Sequence, residues 1–462
     1  MKKRLPVLLL ALVMVFSISI AAFGCDKVES MDAVSGGKVL RIRCWNDEFQ
    51  SRFRSFYPDV NSEKSGEGVD YLTDGTKIEW VIVANQNNAY QIALDTALKA
   101  QDEKKREDRV DMFLIEADYA SKYVDSEYSL DIKKDVGLTD NLLKDQYEYT
   151  QTIVTDKNNK LKATSWQAAP GLYAYRRDIA KEVFETDDPD VIQEKVSDWV
   201  KFEETAATMK ENGYYMLSGF DDSFRVFSNN MTGKWVKDDN KTINEDAAIN
   251  NWIKQTKDFS EKGYNNGTTL WDENWQKGQG PEGKVFGYFY STWGINFTLL
   301  GNSLADKNKP EEEGNGLYGK WAVCPGPQAY YWGGTWLCAA AGTDNVTLIR
   351  DIMYHLTCNK DTMKAITADV KIQDFTNNKA AMAELAVGYE SAFLGGQNHI
   401  QMFLEAADKI DMSNISPYDQ GCNEKIQGAM ADYFKGTISL DKAWANFYTN
   451  IKETYPQLQK AS

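Results

Sequence analysis

The chain has only two histidines, His355 and His399, in 462 residues, too few for a histidine-built metal centre. Neither G-x-x-x-x-G-K-S/T, nor G-x-S-x-G, nor H-E-x-x-H occurs. The phosphate cradle, the nucleophile elbow and the zincin helix are therefore missing, and with them the familiar NTPase, serine-hydrolase and metalloprotease chemistries. Basic residues number 52 against 68 acidic ones, a formal charge of −16, and no basic stripe interrupts the excess. Phosphate recognition needs such a stripe, so nucleic acid is excluded as an electrostatic partner. The six cysteines are scattered with no C-x-x-C, which excludes the usual zinc clusters. Internal repeats and low-complexity blocks are also absent. No cofactor and no metal is expected.

Hydrophobic residues make up 42% of the chain and aromatics 12%, a globular composition on a length that suits two or three domains. Met1-Lys2-Lys3-Arg4 is a positive start, and Leu5 to Ala22 is an almost unbroken apolar run ending at Gly24-Cys25. That order predicts a secretory signal peptide over 1–24. The placement of Cys25 resembles a lipobox, in which the cysteine is lipidated and becomes the new N-terminus. The alternative is an uncleaved single span, and in either case the remainder faces the cell exterior. Residues 1–24 carry three positive charges and no negative one, so the charge becomes −19 without them. Residues 25–37 are small and polar and read as a flexible tether. The membrane is thus engaged through the N-terminal lipid only. Cys44, Cys324, Cys338, Cys358 and Cys422 are left, an odd number. At least one stays unpaired in a monomer, and buried free thiols are the expectation for all five.

Val39 to Trp45, Lys77 to Ala84 and Val110 to Ile115 read as strands that open into polar loops. A helix is expected from Asn88 to about Glu107, with Ile92, Ala93, Ala97, Leu98 and Ala100 inward. Strands separated by helices predict an α/β sheet, whose ligands sit outside the strand ends. Leu161 to Ala174, broken by Pro170-Gly171, reads as a crossing between two lobes. Ser197 to Gly213 and Asp344 to Cys358 carry apolar residues at helical spacing. Lys307 to Gly316 is expected as a solvated loop. Asp156-Lys157-Asn158-Asn159 opens like a calcium loop but lacks the later glycine and glutamate, so it reads as a turn.

Several of these stretches resemble one family, the carbohydrate-binding extracellular solute-binding lipoproteins of ABC importers, similar to maltose-binding proteins. Val110 to Phe113 with Asp118-Tyr119-Ala120 resembles the family's third strand and polar turn. Trp166 to Asp178 resembles its lobe crossing, although Arg176-Arg177 stand where Asn-Lys is commoner. Asp198 to Phe202 is a variant of its Thr-Trp-Asp-Glu-Phe helix start. Phe286 to Asn296 (FGYFYSTWGIN) is similar to its pocket strand and aromatic turn, and Gly333-Gly334-Thr335-Trp336 to its return strand. The resemblance runs from about Val39 to Ile451. It implies an α/β, bilobed, periplasmic-binding-protein-like clamshell with crossing hinge strands. One lobe would take 38–166 with 333–380, the other 167–332 with 381–462. A monomer closing over sugar and docking on a permease pair, with the ATPase reached indirectly, would follow.

A sugar offers fixed hydroxyls and apolar C–H faces, so its site needs aromatic platforms beside amides and carboxylates. Such groups stand at expected strand ends and loops: Trp45, Asn46, Asp47, Asn87, Glu116, Asp118, Trp166, Gln167, Asp221 and Asp222. Trp271, Trp275, Tyr290, Trp293, the run Trp332 to Trp336 with Gly334, Tyr418 and Asp419 follow. Thirteen tryptophans allow several stacked rings and favour an oligosaccharide, a neutral one given the acidic body. Each group also has an ordinary structural reading. Trp80, Trp199, Trp252 and Trp444 lie inside regular elements and read as core. Trp271 and Trp275 have the spacing of a helix face, and His399 and His355 read as structural. The rival reading is a secreted, lipid-anchored glycoside hydrolase, which would need two carboxyls facing across one bond.

Overall fold

The computed structural model describes residues 38–369 and 374–461. The signal peptide, Cys25 and the tether lie outside the described residues. No helix among the described residues is long and apolar enough to cross a membrane.

Eleven strands are described in chain order: β1 (Val39–Cys44), β2 (Val69–Tyr71), β3 (Lys77–Ile82), β4 (Met112–Glu116), β5 (Ala163–Ser165), β6 (Gly171–Arg176), β7 (Leu217–Gly219), β8 (Asn265–Thr268), β9 (Gly287–Ser291), β10 (Trp321–Cys324) and β11 (Thr335–Ala339). Six form one sheet in the order β2-β3-β1-β4-β11-β5, in which β1 runs parallel to β3 and β4. The chain leaves β1 for β3 on one side, then crosses to β4 on the other. The crevice between the C-terminal ends of β1 and β4 is therefore the topological switch point of the sheet. β11 returns antiparallel with Thr335 opposite Glu116, and β5 adds to it with Ser165 opposite Trp336. A second sheet, β10-β6-β9, is antiparallel throughout, and β7 pairs with β8. The segment from β5 to β6 passes from the first sheet to the second, as expected of a lobe crossing.

Alternation on β1 buries Leu40, Ile42 and Cys44, whereas β4, β6, β9, β10 and β11 are buried along nearly their whole lengths. Such strands read as continuous apolar runs because both faces are covered. The helix Trp199–Glu211 starts on Asp198, whose carboxylate accepts from the amides of Val200 and Lys201 at 2.9 Å, and it stops before Gly213 at φ 84°. A separate core gathers Trp235 and Trp252 under the C-terminal helices Asp419–Phe434 and Leu440–Thr454.

The first helix after β3 corrects one expectation. It spans only Ala89–Lys99, and Ile92 is 62% exposed. The side chain of Gln101 pairs with the backbone of Val110, donating to its carbonyl at 2.7 Å and accepting from its amide at 3.0 Å. This folds the chain back two residues after the helix ends. The Tyr90 hydroxyl donates to the Leu114 carbonyl at 2.6 Å, so Tyr90, Leu94, Ala97 and Leu98 face inward rather than Ile92.

Cys44, Cys324, Cys338, Cys358 and Cys422 are all buried free thiols. Burial pushes the thiols of Cys44, Cys324 and Cys358 up to about 12. Asp156 closes a tight turn, its carboxylate accepting from the amides of Asn158 and Lys160, with Asn159 in the left-handed region at φ 59°. His399 is buried between the rings of Tyr389 and Phe403. Lys307 to Gly316 is a mostly exposed loop without regular structure.

Candidate functional site

Sheet topology assembles the site from distant stretches. Trp45, Asn46 and Asp47 leave the C-terminal end of β1, and Glu116 and Asp118 that of β4. The antiparallel register places Gly334 and Thr335 at the same edge, and Gln167 follows β5 beside them. From the second sheet, β9 runs into a short helical turn carrying Trp293 and then a π-helical turn, Ile295–Leu300, carrying Asn296 and Phe297. Together these groups line a cavity of about 650 Å³, closed further by Glu48, Ser51, Arg52, Arg225, Trp332, Gly333 and Asp374.

One part of the lining is a charged and amide network. Arg52, one helical turn beyond Glu48, lies 3.2 Å from its carboxylate and 3.7 Å from that of Asp374. Gln167 donates from Nε2 to both carboxylates, at 2.9 and 2.8 Å. Burial pushes Glu48 up to about 7 despite the opposing charge of Arg52. Burial likewise raises Asp374. With its amide nitrogen committed, Gln167 has its carbonyl oxygen left to accept from a ligand hydroxyl.

A second part joins the first sheet to the segment between β7 and β8. Arg225, on the short helix Phe224–Asn229 that follows β7, makes a bidentate ion pair with Asp118. Glu116 takes the Asp118 amide at 2.9 Å. Burial, then the charge of Asp118, raises the Glu116 carboxyl, and Arg225 opposes the rise only in part.

The third part is aromatic. Trp293 donates from Nε1 to the Trp332 carbonyl at 2.8 Å, and the two rings meet edge to face at 5.3 Å. Trp332 stacks over the buried Tyr290 at 6.4 Å, while Phe297 is 80% exposed. Trp45 is fixed by edge contacts with Tyr90 and Tyr119. The close approach at Gly333 is required: its φ is 75°, and a Cβ there would lie 3.0 Å from Trp293 Nε1. Gly333→Ala is accordingly expected to cost about 1–2 kcal/mol in urea unfolding.

Of the residues singled out in the sequence, Trp45, Asn46, Asp47, Glu116, Asp118, Gln167, Trp293 and Gly334 line the cavity. The others are placed elsewhere. Asn87 is exposed beyond β3, on the side of β1 away from the switch point. Trp166 is buried in a stack on Phe49, and Trp336 is buried with Nε1 donating to the Thr150 carbonyl at 2.9 Å. Asp222 is a buried anchor that accepts from the amides of Ser218 and Gly219 and from Trp275 Nε1, which also explains the burial of Trp275. Asp221, next to it, is partly buried and does not line the cavity. Tyr290 lies beneath Trp332, and Trp271 stands outside the lining. Tyr418 packs edge-on against Tyr455. Asp419 accepts from the Ser416 amide and hydroxyl and lines a separate cavity of about 40 Å³ that shares Asp118 and Arg225 with the larger one.

Ser51, Arg52, Arg225, Asn296, Phe297 and Asp374 were not singled out by sequence reasoning. For Arg52 the signal was available, a basic residue four beyond Glu48 on a helix. Asn296 closed the aromatic stretch already noticed. Arg225 and Asp374 reach the cavity only through tertiary folding. Among the described residues, no group of three or more His, Cys, Asp or Glu is arranged to hold a metal ion.

No curated protein matches the chain in sequence. Among solved structures, it is similar to an extracellular solute-binding protein of family 1, with TM-score 0.70, 14% identity, and coverage of 90% of this chain and 99% of that one. It is also similar to the ABC transporter associated binding protein from B. animalis subsp. lactis Bl-04, solved in complex with β-1,6-galactobiose, with TM-score 0.64, 18% identity, and coverage of 92% and 100%. The galacto-N-biose/lacto-N-biose I-binding protein of the ABC transporter from Bifidobacterium longum, solved with lacto-N-biose, matches with TM-score 0.63 at 11% identity, over 91% and 98%. These likenesses establish the bilobed periplasmic-binding fold. The family model for bacterial extracellular solute-binding proteins matches residues 70–390, more than half of the chain. With that match the chain belongs to the bacterial extracellular solute-binding proteins.

Proposed function

We propose that this protein is anchored outside the cell membrane through a lipid on Cys25, captures a sugar, and delivers it to the permease pair of an ABC importer. The closing lobes are taken as 38–166 with 333–380 and 167–332 with 381–462, and the protein acts as a monomer. The observation that carries the reading is the composition of the 650 Å³ cavity: tryptophan faces beside carboxylates and a half-committed amide. Rings of this kind cover the C–H face of a pyranose, and the polar groups take its hydroxyls. A neutral oligosaccharide fits best. The two arginines of the described lining are engaged, Arg52 by Glu48 and Asp374 and Arg225 by Asp118, so an acidic sugar would meet carboxylates rather than a free cation.

The test is a thermal-shift screen of the purified protein against neutral and acidic oligosaccharides, with product analysis of each mixture. A ligand at a hundred times its dissociation constant should stabilise by about 2.7 kcal/mol, a shift of a few degrees. Intact sugar with a raised Tm is the expected result. Cleaved sugar would mean a hydrolase, and a stronger response to uronic-acid ligands would overturn the neutral preference.

A further inference from the structure

Trp271 has a backbone conformation that is unusual for its residue type. Its φ is 71°, in the left-handed region that glycine favours and that a bulky side chain rarely adopts. Asp272 holds it there, accepting from the amides of Thr269 at 3.0 Å and Trp275 at 2.7 Å, while Gln276 Nε2 donates to the Trp271 carbonyl at 3.0 Å. The ring packs on the buried Trp275 at 5.2 Å and still leaves Trp271 43% exposed. Yet the ring is not adrift. It stacks on Trp293 at 6.2 Å and 23°, and lies 5.8 Å from Trp332. Both neighbours line the cavity, and Trp271 does not. Phe297, also on the lining, meets the other side of the cluster through Trp293 at 6.3 Å and is itself 80% exposed. An aromatic surface therefore runs without a break from inside the cavity to its exterior.

Strained backbone persists where the surroundings over-determine it, and it gathers at ligand clamps. A large exposed apolar surface rimmed by polar groups marks a binding surface. We infer that Trp271 is an outer subsite, and that the ligand is an oligosaccharide longer than the cavity whose additional ring lies against Trp271 outside it. This rests on the sugar reading above and adds to it the length of the chain. At the polar rim of Asp272, Glu273 and Asn274 the one cation of the turn, Lys277, is engaged by Glu273 at 2.6 Å, which suits a neutral ring.

The experiment is calorimetric titration of the purified protein with gluco- and galacto-oligosaccharide ladders, α- and β-linked, from disaccharide to pentasaccharide. Affinity should rise about tenfold once the chain outgrows the cavity, the worth of one good ring contact. Trp271→Gly should erase that gain while leaving the disaccharide within about twofold, and Trp271→Phe should retain part of it. Because glycine relieves the positive φ, the melting temperature of Trp271→Gly should not fall. Affinity that is flat across the ladder, or a loss equal at every length, overturns the outer subsite and leaves the sugar reading standing. A lowered melting temperature with unchanged binding marks Trp271 as a packing residue and also overturns it. No binding by any ladder overturns the sugar reading and this inference with it.

Discussion

Folding stability should fall by about 3 kcal/mol or more as pH rises from 5 to 7.5. Burial pushes Glu48, Asp222 and Asp419 up to about 7, and it raises Glu116 as well. In the unfolded chain such carboxyls titrate near 4. Between the two values the folded protein holds protons that the unfolded chain has released. Each such group lowers stability by roughly 1.4 kcal/mol per pH unit in that window. The stabilisation is fully present below about 4 and is lost as pH passes the folded values. His399 works in the opposite direction. Burial pushes it down to about 4, so the folded protein keeps it neutral while the unfolded chain takes up a proton below about 6.5. One histidine opposes four carboxyls, so the carboxyls win. Urea unfolding at pH 5, 6 and 7.5 reads the effect directly, and Asp222→Asn should flatten the profile. Stability that is level or rising over this range would sink the assignment of buried, proton-holding carboxyls.

Replacing Arg225 by alanine should cost about 2–3 kcal/mol, because Asp118 would be left in the cleft without its counter-charge. Their side chains are only 20% and 23% exposed. Arg225→Lys should recover less than half of the loss, since a point charge cannot serve both carboxylate oxygens as the guanidinium does. The double variant with Asp118→Asn should lose less than the two single losses together, the signature of a coupled pair. Additive losses in urea unfolding would mean that the ion pair does not couple the elements it joins.

The sequence was most legible where chemistry follows local order. Strand runs at Val39, Lys77 and Val110 were plain from alternation and apolar content, and their polar exits predicted which edge of the sheet would carry the cavity. Residues placed there by strand ends alone, Trp45 to Asp47, Glu116, Asp118 and Gln167, line it. Asn87 also leaves a strand end, yet stands on the wrong side of β1, because strand order decides which exits face the crevice and no local pattern encodes that order. Trp166 and Trp336 fill the core instead: in β11 neighbours point to opposite faces, so Thr335 lines the cavity while Trp336 is buried, and just beyond the end of β5 Gln167 lines it while Trp166 packs on Phe49. Asp222 and Trp275, separate candidates from distant stretches, hold each other, since a buried indole N–H needs an acceptor whether or not a sugar is present. Asp374 was invisible, being brought to Gln167 and Arg52 from more than two hundred residues away.

The five buried thiols bear on how an exported protein of this kind survives outside the cell. The thiolate is the form that oxidants and disulfides attack, and burial suppresses it at every one of these positions whose value rises. Damage by oxidation therefore waits on unfolding, and the rate at which the chain opens sets its chemical lifetime. Thiol alkylation consequently acts as a clock for that opening, with no label attached and no ligand identified.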